Sequence, residues 1–228
     1  MLELPLTFSQ RAAAPGTPRP WLLVLLHDVA SNEHTLLQQV TAFPERFYLL
    51  SLRAPNRMGP GSHSWFDFSI PPGGNPVINL EQEADSRALV VRCIVAAGLH
   101  LGIPPEHVVV AGFGQGGIMA LSLLLTRPEL MRAAVVWHGR LLPEVQPEML
   151  AVQAAEHSAL QGRQLWVSHG THDAIVPTVH AQSIRRQLEH TPIRTTFREF
   201  AVGHELRVGE VAATVSWVEE LATRQPSF

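Results

Sequence analysis

At 228 residues, with 46% apolar and only 16% charged side chains, the chain is long enough for one large domain and too apolar to be disordered. All 17 basic residues are arginines, scattered along the chain and outnumbered by 20 acidic ones. The resulting charge of −3 argues against a nucleic-acid binder that neutralises phosphates, and the missing lysine excludes Schiff-base and P-loop lysine chemistry.

The first twenty residues lack the basic-then-apolar layout of a signal peptide, and the apolar run Trp21–Leu26 is far too short to cross a membrane. A cytoplasmic protein without stable membrane insertion is the expectation. Strands are predicted at Leu2–Phe8, Trp21–His27, Phe47–Leu52, Val108–Gly112, Ala133–His138, Leu165–His169 and Thr195–Phe200. Helices are predicted at Glu33–Phe43, Leu80–Leu99, Gln115–Thr126, Val179–Glu189 and Glu205–Ala222. Asn79 suits an N-cap, with Glu81 and Glu83 in the first turn, and Cys93, the single cysteine, falls in the apolar half of that helix as core packing. Continuous apolar strands alternating with helices predict one α/β domain over residues 1–228, a mostly parallel sheet with helices on both faces. The stretch Arg53–Asn79 is rich in proline and glycine and too long for an idle connection; Trp65 and Phe66 within it suit an apolar acyl pocket rather than a cofactor site, or a buried packing role.

Val108–Ala120 reads strand, tight turn, helix, with Gly112 and Gly116 flanking Gly114 at the spacing of a nucleophile elbow, G-x-S-x-G. The central residue here is glycine. A phosphate-binding turn would use similar glycines, but the dinucleotide fingerprint belongs after the first strand, not the fourth or fifth. Downstream, Asp173 follows one buried strand and His204 the next, in the order nucleophile, acid, histidine. The spacing of His169, His172, Asp173 and His204 matches no zinc pattern, so no metal or other cofactor is expected.

Three blocks, Gly112-Phe-Gly-Gln-Gly-Gly117, His169-Gly-Thr-His-Asp173-Ala-Ile-Val-Pro177 and Gly203-His-Glu205, resemble those of the phospholipase/carboxylesterase branch of the α/β hydrolases, which includes acyl-protein thioesterases. Arg53-Ala-Pro55, Met58-Gly59 and Ser64-Trp-Phe-Asp67 resemble its active-site loop. The resemblance, from about Trp21 to Trp217, implies an α/β-hydrolase fold of about seven strands without a lid domain, and hydrolysis of small acyl esters. It implies a catalytic set at Gly114, Asp173 and His204, oxyanion-hole N–H groups from Val29 and Gln115, and substrate contacts from Met58, Trp65 and Phe66. A small-molecule acyl ester is the implied partner, and a homodimer stays open.

The departures lie in the chemistry. Gly114 replaces the serine, and Leu26-His-Asp-Val-Ala30 stands where the family has L-H-G-x-G. Asp28 tolerates the left-handed turn a glycine would take, and its carboxylate falls near the developing oxyanion. Serine-based catalysis is therefore expected to be impaired. Hydrolysis by a water in the space of the lost serine side chain, or ligand binding without turnover, are the two alternatives. Serine at position 114 is expected to lower the melting temperature, because the elbow residue is strained. Arg140, just after a strand, either approaches an anionic substrate group or is a solvated loop charge.

Overall fold

Every residue of the second and third strands is buried, so both of their faces need cover, and the intervening helices supply it. The computed structural model describes residues 1–71, 77–154 and 159–223. In chain order the elements are β1 (Phe8–Arg11), β2 (Trp21–Leu26), α1 (Glu33–Gln39), β3 (Phe47–Leu52), β4 (Asn56–Gly59), β5 (Ser62–Ser64), β6 (Phe68–Ser69), β7 (Val77–Ile78) and α2 (Leu80–Leu101). There follow β8 (Val108–Phe113), α3 (Gln115–Thr126), β9 (Ala133–Trp137), α4 (Gln146–Ala154), β10 (Gln164–Gly170), α5 (Val179–Leu188), β11 (Arg194–Phe200) and α6 (Val208–Thr223).

Seven strands form one sheet in the order β1-β3-β2-β8-β9-β10-β11, with only β1 antiparallel to its neighbour. One face, through Trp21, Leu23 and Leu25, meets Leu36 of α1, Val40 just past its end, and Val211 and Val218 of α6. The other, through Leu22, Val24 and Leu26, packs on Cys93 and Ile94 of α2, Leu121 and Leu124 of α3, and Ile184 of α5. Cys93 is fully buried, and burial pushes its thiol up to about 11, which keeps it a core side chain.

The first strand lies later than Leu2–Phe8. Arg11 donates to the carbonyls of Phe43 (2.8 Å) and Pro44 (2.9 Å) and so fixes β1 against β3 with Arg11 opposite Leu49, while Leu2 and Leu4 pack on the core outside the sheet. Helix α1 stops at Gln39, short of Phe43, and α6 starts at Val208, leaving Glu205–Arg207 in the loop after His204. Helix α4 and the two short hairpins are additions to the predicted set. Pro72, Gly73, Gly74 and Pro76 of the long loop lie outside the described residues. Among the described residues no helix is long and apolar enough to cross a membrane.

The chain leaves β2 for β3 on one side and reaches β8 on the other. The C-terminal ends of β2 and β8 therefore flank the point where strand order reverses, where an open α/β sheet takes its ligand. Leu26 pairs with Gly112, so Asp28 and Gly114 each lie two residues past a paired position, side by side. Gly170 pairs with Phe200 in the same way, which brings the loops carrying Asp173 and His204 to the same edge.

Candidate active site

Gly114 has φ 55° and ψ −116°, a conformation costly for any residue with a β-carbon. Its N–H donates to the Trp137 carbonyl (2.9 Å), which ties the turn to β9. The close crossing of strand and helix also requires Gly116, where a β-carbon would lie 1.9 Å from the Leu26 carbonyl oxygen. This is elbow geometry in full, although no side chain projects from its tip.

The carboxylate of Asp28 fills that position. A β-carbon on Gly114 would stand 2.1 Å from Asp28 Oδ1. The same oxygen accepts hydrogen bonds from the backbone N–H groups of Val29 and Gln115, both at 2.7 Å. These are the two donors expected to face an oxyanion, and Asp28 occupies them. The space beside Gly114, expected to admit a water, holds this carboxylate. The left-handed residue of the loop is also not Asp28 but Ala30, at φ 59°. Ala30 thus keeps the turn of a glycine-bearing loop at a modest strain cost while Asp28 turns its side chain inward.

His27 anchors this loop from beneath. Its Nδ1–H donates to the Asp28 carbonyl (2.6 Å), and its Nε2 accepts from the Ala54 N–H (3.0 Å). Burial lowers its pKa to about 4, and the neutral ring is the form these two bonds require.

His204 joins Asp28 to Asp173. Nδ1 lies 2.8 Å from Asp173 Oδ2 and Nε2 lies 3.2 Å from Asp28 Oδ2. Burial is the largest single influence on His204 and lowers its pKa, but the hydrogen bonds and charges of Asp28 and Asp173 together outweigh it, and the pKa is raised. Asp173 Oδ1 accepts from the N–H groups of Ile175 (2.9 Å) and Val176 (2.8 Å). Burial alone would raise the pKa of Asp173; these backbone bonds and its two histidine partners lower it instead.

The second partner is His138, which sequence patterns missed as a site residue. Its Nδ1 lies 2.8 Å from Asp173 Oδ2, and its Nε2 lies 3.3 Å from Oε2 of Glu210. Ser168 Oγ donates to the other Glu210 oxygen (2.5 Å). A line of alternating carboxylates and imidazoles thus runs from surface to core: Asp28, His204, Asp173, His138, Glu210. His138 and Glu210 are fully buried, and His138 has a left-handed backbone (φ 54°). Its place straight after β9 was the available signal; Glu210, inside an amphipathic helix, gave none. His138, Asp173 and His204 have ligand atoms close enough to hold a cation, yet their 2.8 Å contacts are those of ordinary charge-assisted hydrogen bonds.

A cavity of about 390 Å³ opens beside Asp28, within the range of small-molecule sites. Val29, Gly114, Gln115, His204 and Phe66 line it, with Ile118, Ile175 and Val176 adding apolar wall. Arg140 also reaches it, so it is more than a solvated loop charge; burial lowers its pKa, partly offset by Glu144. Two expected substrate contacts lie elsewhere. Met58 is 54% exposed on the β4–β5 hairpin and does not line the cavity. Trp65 is fully buried: its Nε1–H donates to the His27 carbonyl (2.8 Å) and its N–H to Gln115 Oε1 (2.7 Å). Gln115 Nε2 in turn donates to the Phe66 carbonyl (2.7 Å), so Trp65 clamps the loop to the elbow while Phe66 faces the ligand space.

Residues 9–221 match the family model described as Phospholipase/Carboxylesterase. A rice (Oryza sativa subsp. japonica) protein named as a probable carboxylesterase is 27% identical over 166 residues, covering 68% of this chain and 57% of its own. A second rice protein, named as a probable inactive carboxylesterase, is 24% identical over 162 residues, covering 71% of this chain and 64% of its own. The chain therefore spans about three fifths of the length of these relatives. The structure of a Bacillus cereus carboxylesterase superposes with a TM-score of 0.76 at 20% identity, covering 95% of each chain, a likeness of fold.

Proposed function

Starting from a chain that belongs to the phospholipase/carboxylesterase family of α/β hydrolases, we propose that it binds a small apolar or acyl ligand beside Asp28 and does not form the serine-type acyl-enzyme of a carboxylesterase. The observation that carries this reading is the double hydrogen bond from Val29 and Gln115 to Asp28 Oδ1. Acyl transfer through a serine needs a hydroxyl on the elbow and free donors for the carbonyl oxygen of the substrate. Here the hydroxyl is missing, and both donors are bonded to a carboxylate. Losing one such donor costs about 2.7–4 kcal/mol of transition-state stabilisation, and a negative charge in the hole adds repulsion to the incoming oxyanion.

Ligand binding is supported by the cavity itself, with Phe66, Ile118, Ile175 and Val176 for an apolar or acyl portion and Arg140 for an anionic end. The test compares the wild-type protein with the Asp28→Gly/Gly114→Ser double variant, using 4-nitrophenyl butyrate and a fluorophosphonate probe. The wild type is expected to take no label and to leave the ester at its background rate, and the double variant to gain both reactions. Calorimetry with short-chain fatty acids should show binding to the wild type. Serine-independent ester turnover by the wild type, or no binding of any acid or ester, would count against the reading.

A further inference from the structure

Asp28 is held as a reacting carboxylate would be held. Oδ1 takes two backbone N–H donors, while Oδ2 is left to the cavity and to His204 Nε2, 3.2 Å away. A hole filled in this way cannot serve the carbonyl of a bound ester. It is instead placed to stabilise an oxyanion on Asp28 itself, should Asp28 become esterified and a water then add to its Cγ. Behind His204 stands Asp173, as orientation of a water-activating base requires.

We propose that Asp28 is a nucleophile toward saturated carbon and that this chain hydrolyses alkyl halides or similar small alkyl compounds with an anionic leaving group. The proposal adds to the ligand-binding reading above and uses the same cavity. In the first step Oδ2 attacks the carbon from behind; a C–O bond forms, the carbon–halogen bond breaks with its electron pair, and halide departs. Phe66, Ile118, Ile175 and Val176 give the cavity apolar walls for an alkyl chain, and the Arg140 guanidinium, which also lines it, can receive the anion. The ester formed on Asp28 is uncharged, so His204 loses one of its two anionic partners and releases its proton to solvent, leaving a neutral base. In the second step His204 Nε2 takes a proton from water as the hydroxyl adds to Asp28 Cγ, and the charge on Oδ1 meets the N–H groups of Val29 and Gln115. Collapse breaks the bond from Cγ to the alkoxy oxygen, His204 returns the proton to the departing alcohol, and the carboxylate is restored. Alkyl halide and water become alcohol, halide and a proton, with no oxidant or reductant.

The route leaves an isotopic mark. The oxygen in the first alcohol comes from Asp28, and the oxygen of water stays in the carboxylate. The test incubates the whole protein with 1-bromohexane in water carrying heavy oxygen, at protein excess, and reads bromide release and the mass of the Asp28 peptide. Expected are bromide release above background, unlabelled hexanol, and heavy oxygen in Asp28. With 1-bromohexane in excess, His204→Gln is expected to release one bromide per protein and then stop, with a hexyl ester on Asp28. Asp28→Asn, checked for folding by circular dichroism, is expected to lose bromide release. Labelled hexanol with unlabelled Asp28 would overturn the proposal, as would the absence of both bromide release and alkylation in the wild type. The second result leaves ligand binding intact, because fatty-acid calorimetry and fluorophosphonate labelling report on that reading separately.

Discussion

The carboxylate of Asp28 stands where any side chain on Gly114 would have to begin, 2.1 Å from the position of its β-carbon. The two positions are therefore coupled. Gly114→Ser alone is expected to destabilise the protein and to gain no fluorophosphonate labelling. A left-handed serine costs about 1–3 kcal/mol and the overpacking about as much again. At about 2–4 °C per kcal/mol for a chain of this size, the melting temperature should fall by several degrees. Adding Asp28→Gly removes the overlap and should recover part of the loss together with labelling; scanning calorimetry and probe labelling on the two variants check this. Equal melting temperatures for wild type and single variant would count against both the strained elbow and the overlap with Asp28.

Asp28→Asn should act on His204. Removing one of its two carboxylate partners is expected to lower the His204 pKa, which proton-detected titration of the ring would read directly. Because the folded pKa of His204 is raised, the stability it contributes is fully present below the unfolded value of about 6.5 and is lost as pH rises through the folded pKa. In Asp28→Asn that loss should be smaller and complete at lower pH. An unmoved His204 titration would show that the 3.2 Å contact carries no charge coupling.

Much of this arrangement was legible in the sequence, and the missing parts have physical causes. The buried strands and the helix over Gln115–Thr126 announce themselves through continuous apolar runs and a glycine-flanked turn. Asp173 and His204 follow from their place after successive strands. Asp28 and Gly114 were each visible as departures, but their meeting depends on the pairing of Leu26 with Gly112, a register that no local pattern encodes. Trp65 looked like a pocket residue because an aromatic in a long loop suits one; its indole N–H instead found the His27 carbonyl. Glu210 was hidden because a carboxylate on an amphipathic helix ordinarily faces solvent, and only the fold places Ser168 and His138 against it.

Asp173→Asn should be costly at neutral pH. Its carboxylate is fully buried and shared by His204 and His138, and breaking such a pair leaves its partners uncompensated, at about 3–5 kcal/mol. The folded pKa of Asp173 is lowered, so its contribution is present above the ordinary carboxylate pKa and is lost as pH falls through the folded value. Chemical denaturation at pH 7 should therefore show the full deficit in the variant, and the gap should narrow on acidification as the wild type loses the same interactions. A constant gap down to strongly acid pH would assign the deficit to packing.

His27 sets a separate acid limb. A proton on its Nε2 would face the Ala54 N–H donor, and burial further disfavours the charge, so the folded protein holds His27 neutral down to about 4 while the unfolded chain protonates near 6.5. Between these values the unfolded state binds more protons, and stability must fall as pH falls, by about 3 kcal/mol in all if His27 acts alone. His27→Gln keeps an acceptor for Ala54 but has no titrating group. It is expected to lose about 1–3 kcal/mol at pH 7 through the bond to the Asp28 carbonyl and to show a flatter decline from pH 6.5 to 4. Denaturant midpoints measured across that interval decide the matter; parallel curves for variant and wild type would place the acid limb on another group.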